Sequence, residues 1–173
     1  MSQLVLGGGC FWCLEAVFQR VDGVASVTSG YSGGHVDNPD YKSVCQETTG
    51  HAEVVSIEYD TNVISLEELL EIFFTIHDPT TLNRQGNDIG TQYRSIIFYQ
   101  SDAEKEKVEH HICEIKGQFD KPIVTEVKPY QIFWPAESEH FNYYNQNSTQ
   151  PYCQIVVGSK LQKLNQHFKD KMK

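Results

Sequence analysis

Apolar positions along this chain fall into short runs broken by glycine, proline and polar clusters, interleaved with stretches whose apolar residues recur every three to four positions. Leu4 to Leu6 reads as a short strand, broken by Gly7-Gly8-Gly9. A helix follows from about Phe11 to Arg20, closed by Asp22-Gly23. Val24 to Tyr31 reads as a strand ending in Ser32-Gly33-Gly34, and Asn38-Pro39-Asp40 opens a short helical turn through Tyr41 and Cys45. His51 to Tyr59 is a strand. Ser65-x-x-Glu68 forms a capping box ahead of a helix carrying Leu66, Leu69, Leu70, Phe73 and Phe74.

Beyond a polar segment, Asn83 to Thr91, the pattern resumes with the strand Ser95 to Tyr99. Ser101 caps a helix with the stripe Val108, Ile112, Ile115 and Phe119, ended by Pro122, and Ile123 to Val127 is another strand. Two helices are expected near Ser138 to Asn145 and Lys160 to Lys169. The order β-α-β-β-α-β over the first hundred residues belongs to a split β-α-β unit. It predicts an α+β two-layer sandwich with a ferredoxin-like core and a loop-rich C-terminal extension, a single catalytic domain over residues 1–173.

Charge narrows the partners. With 14 Lys+Arg against 23 Asp+Glu the formal net charge is −9, and no basic patch stands out, which argues against nucleic acid and anionic membrane. No apolar run reaches the roughly 18 residues that would span a bilayer. The start, Met1-Ser2-Gln3-Leu4, lacks the basic and apolar regions of a secretory signal, so a cytoplasmic location is expected. Five cysteines, at 10, 13, 45, 113 and 153, form a poor disulfide framework in such a chain and a better set of free or catalytic thiols. Cys10-x-x-Cys13 has no second ligand pair to complete a zinc site.

The strongest local chemistry lies in Gly7-Gly8-Gly9-Cys10-Phe11-Trp12-Cys13-Leu14-Glu15. Three glycines let the backbone turn sharply and let a substrate approach closely. Cys10 then falls at the first turn of a helix, where unsatisfied N–H groups stabilise an anion and lower a thiol pKa. Phe11 and Trp12 are either core or an apolar wall for a thioether methyl. In the strand from His51, Glu53 shares the more apolar face with Val55, Ile57 and Tyr59. A carboxyl held there is either paired with a cation or kept protonated by desolvation, as a general acid would be.

Gly9-Cys10-Phe11-Trp12-Cys13-Leu14-Glu15 resembles the signature of the A-type peptide methionine sulfoxide reductases. Gly30-Tyr31-Ser32-Gly33-Gly34, Asn38-Pro39-Asp40-Tyr41, Gly50-His51-Ala52-Glu53 and the segment Asn83 to Arg94 resemble further family stretches, in family order. Late in the chain, Ala136-Glu137-Ser138-Glu139-His140-Phe141 departs from the family's Ala-Glu-Asp-Tyr-His-Gln. The resemblance implies reduction of methionine-S-sulfoxide, free or in proteins. Cys10 is then the nucleophile and Glu53 the proton donor. Phe11 and Trp12 hold the methyl group, Tyr41 and Tyr93 hydrogen-bond the sulfoxide oxygen, and Asp88 organises polar groups around the pocket. Cys10 passes through a sulfenic acid, which Cys153, in a Pro-containing loop, resolves to a disulfide. Thioredoxin is the implied external reductant, with no metal or organic cofactor, and the chain is expected to act as a monomer.

Alternatives remain at this level. Cys13 and Cys45 rival Cys153 as resolving thiols, whereas Cys113 reads as structural. A thioredoxin-like oxidoreductase would use Cys10 and Cys13 as a pair, without an acid on the strand at 53. A cysteine hydrolase would need His35, His51 or His140 against Cys10. A binding module would leave Cys10 inert.

Overall fold

The computed structural model describes residues 1–173. Strand β1 (Ser2–Gly7) leads into helix α1 (Phe11–Gln19), then β2 (Val24–Ser32), the short α2 (Tyr41–Cys45), β3 (Ala52–Tyr59) and α3 (Leu66–Ile76). The polar segment holds a small hairpin, β4 (Arg84–Gln85) and β5 (Asp88–Ile89), before β6 (Ile96–Tyr99) and α4 (Asp102–Ile115). Strands β7 (Glu126–Pro129) and β8 (Trp134–Pro135), α5 (Tyr143–Asn147) and α6 (Gly158–His167) complete the chain.

Six strands form one sheet in the order β7-β6-β1-β3-β2-β8. Its centre, β6-β1-β3-β2, is antiparallel throughout, with Leu4 opposite Ile57 and Tyr31 opposite Glu53. Strand β3 lies between the two strands that α1 connects, which is the split β-α-β arrangement. The fold class is therefore the expected α+β sandwich.

Alternation along β3 sorts its residues between two cores. Val55, Ile57 and Tyr59 join Leu4 and Leu6 against Phe11, Leu14 and Phe18 of α1 and Leu69, Leu70 and Phe73 of α3. Ala52 and Val54 face the other way, with Val5, Ile96 and Phe98. Glu53 belongs to the first of these faces and is fully buried in it. The capping box of α3 forms as expected, Ser65 accepting from the Glu68 N–H while the Glu68 side chain reaches back to Ser65.

The later elements depart from expectation. The strand sought at Ile123 to Val127 begins only at Glu126, because the Val124 N–H is already fastened to the Pro79 carbonyl at 2.8 Å. There β7 pairs parallel with β6, Glu126 opposite Ile96. Helix α4 ends at Ile115 rather than near Pro122, and of its expected stripe only Val108 is buried. Cys113, read as structural, is exposed on that helix. The helix sought from Ser138 to Asn145 divides into a 3-10 turn, Ser138–His140, and α5, because Asn142 adopts φ +56° between them. No helix is long and apolar enough to cross a membrane.

Candidate active site

Cys10 is the N-cap of α1, with φ −66° and ψ 132°. The glycines before it are held by contact. A Cβ on Gly7 would stand 2.6 Å from the Glu53 carbonyl oxygen, and Gly9 turns the chain with φ +92° above the Gln85 side chain. The Gly9 N–H donates to the Tyr93 carbonyl at 3.1 Å, tying the 3-10 turn Thr91–Tyr93 to the same corner.

Glu53 reaches this corner from the sheet. The Phe11 N–H, one of the unsatisfied donors of the helix start, donates to its Oε1 at 3.2 Å. Its Oε2 is buried with no partner. Burial, opposed by the Phe11 N–H, pushes the carboxyl up to about 8. The free acid is therefore the resident form at neutral pH, as expected for a proton donor.

The expected low thiol pKa at Cys10 is overturned. Burial, then the carboxyl of Glu53, then Cys13, raise it well above the ordinary thiol value, and the Trp12 N–H only partly offsets them. The helix start shares its donors between two acidic groups, the Phe11 N–H going to Glu53 and the Trp12 N–H to Cys10. Cys10 itself is 6 % exposed.

Aromatic residues wall the corner. The Phe11 ring is fully buried, with ring centroids 5.6 Å from Tyr31, 6.4 Å from Tyr41 and 5.4 Å from His140. Trp12 stacks on Tyr143 at 3.7 Å and donates from Nε1 to His140 Nδ1 at 3.2 Å. Tyr41 and Tyr93 are half-buried; burial first and Glu53 second push both phenols up, so both remain O–H donors. Thus Cys10, Glu53, Phe11, Trp12, Tyr41 and Tyr93 share one corner.

Asp88 approaches from another side. It accepts from the Tyr152 hydroxyl at 2.7 Å and, with Cys10, Cys13, Tyr152, Val156 and Lys160, lines a cavity of about 420 Å³. Phe11, Trp12, Tyr41 and Tyr93 do not line that cavity.

Cys153 is not in a loop. The chain is helical from Pro151, with a π turn over Cys153–Val157 running into α6, and Cys153 is fully buried within it. Proline is at home in the first turn of a helix, where its missing N–H costs nothing. Cys45, the other rival thiol, is only partly exposed at the end of α2.

Three contributors escaped the sequence reading. Glu137 accepts from the Tyr31 hydroxyl and the Tyr41 N–H, each at 2.9 Å, and so fixes the Tyr41 backbone. His140 lies 4.5 Å from the Tyr41 ring, between it and Trp12. Tyr152 joins the Asp88 and cysteine side. Glu137 and His140 stand in the Ala136 to Phe141 segment, which the sequence offers only as a departure from the family pattern, with His140 as a candidate hydrolase histidine.

Two of the three histidines a hydrolase would need are engaged elsewhere. His51 accepts from the Gly34 N–H at 3.0 Å and donates to the Val36 carbonyl at 2.7 Å, while His140 accepts from Trp12. Glu137, Glu139 and His140 bring metal-type ligand atoms within 4.8 Å of one another, but both Glu137 oxygens and His140 Nδ1 are already engaged.

Comparison with known proteins bears on the same corner. Residues 2–172 match the family described as "Peptide methionine sulfoxide reductase". The "Peptide methionine sulfoxide reductase MsrA" of Saccharolobus solfataricus is 54% identical over 173 residues, 100% of this chain and 98% of the relative. The crystal structure of Mxr1 from Saccharomyces cerevisiae in reduced form superposes with a TM-score of 0.81 at 35% identity, covering 88% of each chain. The structure of Mxr1 in complex with Trx2 gives a TM-score of 0.57 at 26% identity, over 82% of this chain and 84% of that one.

Proposed function

From the premise that this chain belongs to the peptide methionine sulfoxide reductase family, as an oxidoreductase of the A type, we propose that it reduces methionine-S-sulfoxide, free or in proteins, at Cys10. The observation that carries the reading is the buried Glu53 carboxyl, held by the Phe11 N–H through one oxygen and stranded at the other, beside the Cys10 thiol.

The sulfoxide sulfur takes the Cys10 sulfur as nucleophile, while Glu53 delivers a proton to the departing oxygen. Tyr41 and Tyr93, both un-ionised, donate hydrogen bonds to that oxygen, and Phe11 and Trp12 bound the methyl group. Glu53 and Cys10 together bring the proton and the electron pair the reaction needs. A thiol raised by burial is a poor nucleophile alone, so its proton passes to the Glu53 carboxyl as Glu53 gives its own to the sulfoxide oxygen.

The protonated oxygen then passes to the Cys10 sulfur, the bonds from the methionine sulfur to oxygen and to Cys10 break, methionine departs with the electron pair, and Cys10 is left as a sulfenic acid. A disulfide within the chain follows, with Cys153 supplying one sulfur, and thioredoxin reduces it by exchange, as the Trx2 complex of the yeast relative supports. External thiol replaces any organic cofactor or metal. Asp88 orders the polar side of the pocket through Tyr152. The chain works as a monomer in the cytoplasm, where such dithiols are kept reduced, and repairs oxidised methionine.

Reduced protein incubated with racemic methionine sulfoxide should release methionine and lose two thiols per methionine, with the S epimer consumed alone. Cys10→Ser should do neither. Methionine release by that variant, or thiol loss without methionine, refutes the assignment.

A further inference from the structure

Cys13 and Lys160 lie beside Cys10 and have no role in the sulfoxide step, and Tyr152 borders both. We propose that Cys13 is the thiol that first resolves oxidised Cys10, that Lys160 is the half-buried cation that supports it as a thiolate, and that the disulfide then moves to Cys13–Cys153. This rests on the reading that Cys10 becomes a sulfenic acid.

Position is the first argument. Cys10 and Cys13 bracket the opening turn of α1, and the Cys13 N–H donates to the Cys10 carbonyl at 3.1 Å. Side chains three apart on a helical turn stand about 5–6 Å apart at Cβ, so a small rotation of that turn closes a disulfide. Cys153 is sealed within its π turn and would have to break its packing to reach Cys10. Cys13 neighbours both: the Cys10 thiol feels Cys13, and the Cys13 thiol feels Cys153.

Charge is the second argument. Lys160 projects from α6 into the cavity that Cys10 and Cys13 line, and its Nζ donates to the Ile76 carbonyl at 2.7 Å. Helix α6 packs on both α1 and α3, which holds the ammonium in place. Burial lifts the Cys13 thiol to about 11, and the Lys160 charge is the largest influence opposing that. Burial in turn lowers the Lys160 pKa, and Cys13 is the largest influence raising it. The two groups act on each other. The Tyr152 hydroxyl, 4.0 Å from Cys13 Sγ and donating to Asp88, completes the polar side.

The electron count closes. The Cys13 thiolate pair forms the Cys13–Cys10 bond, the Cys10 S–O bond breaks, and hydroxide leaves with the proton Cys13 gave up, as water. The sulfoxide has already supplied the oxidising equivalents. Cys153 then attacks the Cys13 sulfur, its proton passing to Cys10, which departs as the thiol; the external dithiol supplies two electrons to the resulting Cys13–Cys153 bond.

Rapid-quench single turnovers without reductant, alkylated and mapped under non-reducing conditions, test this. Cys10–Cys13 should appear first and Cys13–Cys153 later. Cys13→Ser should hold a dimedone-reactive Cys10 at least about tenfold longer than the parent. Lys160→Met should slow disulfide formation roughly tenfold relative to the methionine burst of the same sample, and should displace its pH profile upward. Lys160→Arg should restore both. Cys10–Cys153 as the first disulfide, or resolution by Cys13→Ser at the parent rate, overturns the role of Cys13. An unmoved pH profile in Lys160→Met overturns the role of Lys160. Parent protein giving neither methionine nor a dimedone adduct instead sinks the underlying reductase mechanism, and this inference with it.

Discussion

Two buried carboxyls stand near α1, and they are treated differently. Glu15, inside the helix, is 2 % exposed and faces the start of α5, where the Tyr143 N–H donates to it at 3.2 Å and the Asn142 N–H also stabilises its charge. Glu53, on β3, has one N–H for one oxygen and nothing for the other. Burial raises both carboxyls, but backbone donors restrain Glu15, whereas Glu53 reaches about 8. A buried acid whose oxygens are served holds two elements together; one left short of donors holds a proton for use.

That contrast can be broken first by rate. Glu53→Gln should lower single-turnover methionine release by about 10²- to 10⁴-fold, measured by rapid quench. A loss under about fivefold would remove its acid role. The same substitution at Glu15 should change that rate by less than about threefold, since its partners lie outside the reacting corner.

Stability sharpens the contrast. The folded-state pKa of Glu53, about 8, lies above its ordinary value of 4.5. Its contribution is therefore fully present below pH 4.5 and is lost as pH rises through 8. Urea midpoints should fall between pH 4.5 and about pH 8 in the parent, and this component of the fall should vanish in Glu53→Gln. An identical slope in both proteins would place the titration elsewhere.

The smallest effect belongs to Glu15→Gln. Its amide can serve one backbone N–H but opposes the other, which should cost about 1 to 3 kcal/mol by denaturant unfolding at pH 7. No measurable cost would mean that α5 does not depend on that cap.

What could be read in advance was local. The glycine turn before Cys10, the Ser65–Glu68 capping box and the alternation that placed Glu53 on an apolar face all depend on residues within a few positions of one another. The raised thiol pKa of Cys10 is not legible locally because its two largest causes, burial and then the Glu53 carboxyl, come from packing distant in sequence. Pro151 was read as a loop signal, when its place in the first turn of a helix buries Cys153. The late strand slipped because a backbone donor at Val124 was already spent on Pro79. The same logic explains why Glu137 is not singled out by the sequence and His140 is weighed there only as a hydrolase base: each matters through partners across the fold.

The stacked Trp12 and Tyr143 rings give the molecule an optical handle. The chain has two tryptophans, and this one lies between the two cysteines of α1 with an imidazole on its indole nitrogen. Any shift of the helix start or of α5 changes that indole's surroundings. Its emission should track the redox cycle without a label, and Trp134→Phe would separate its signal from that of the second tryptophan, which β8 holds opposite Tyr31.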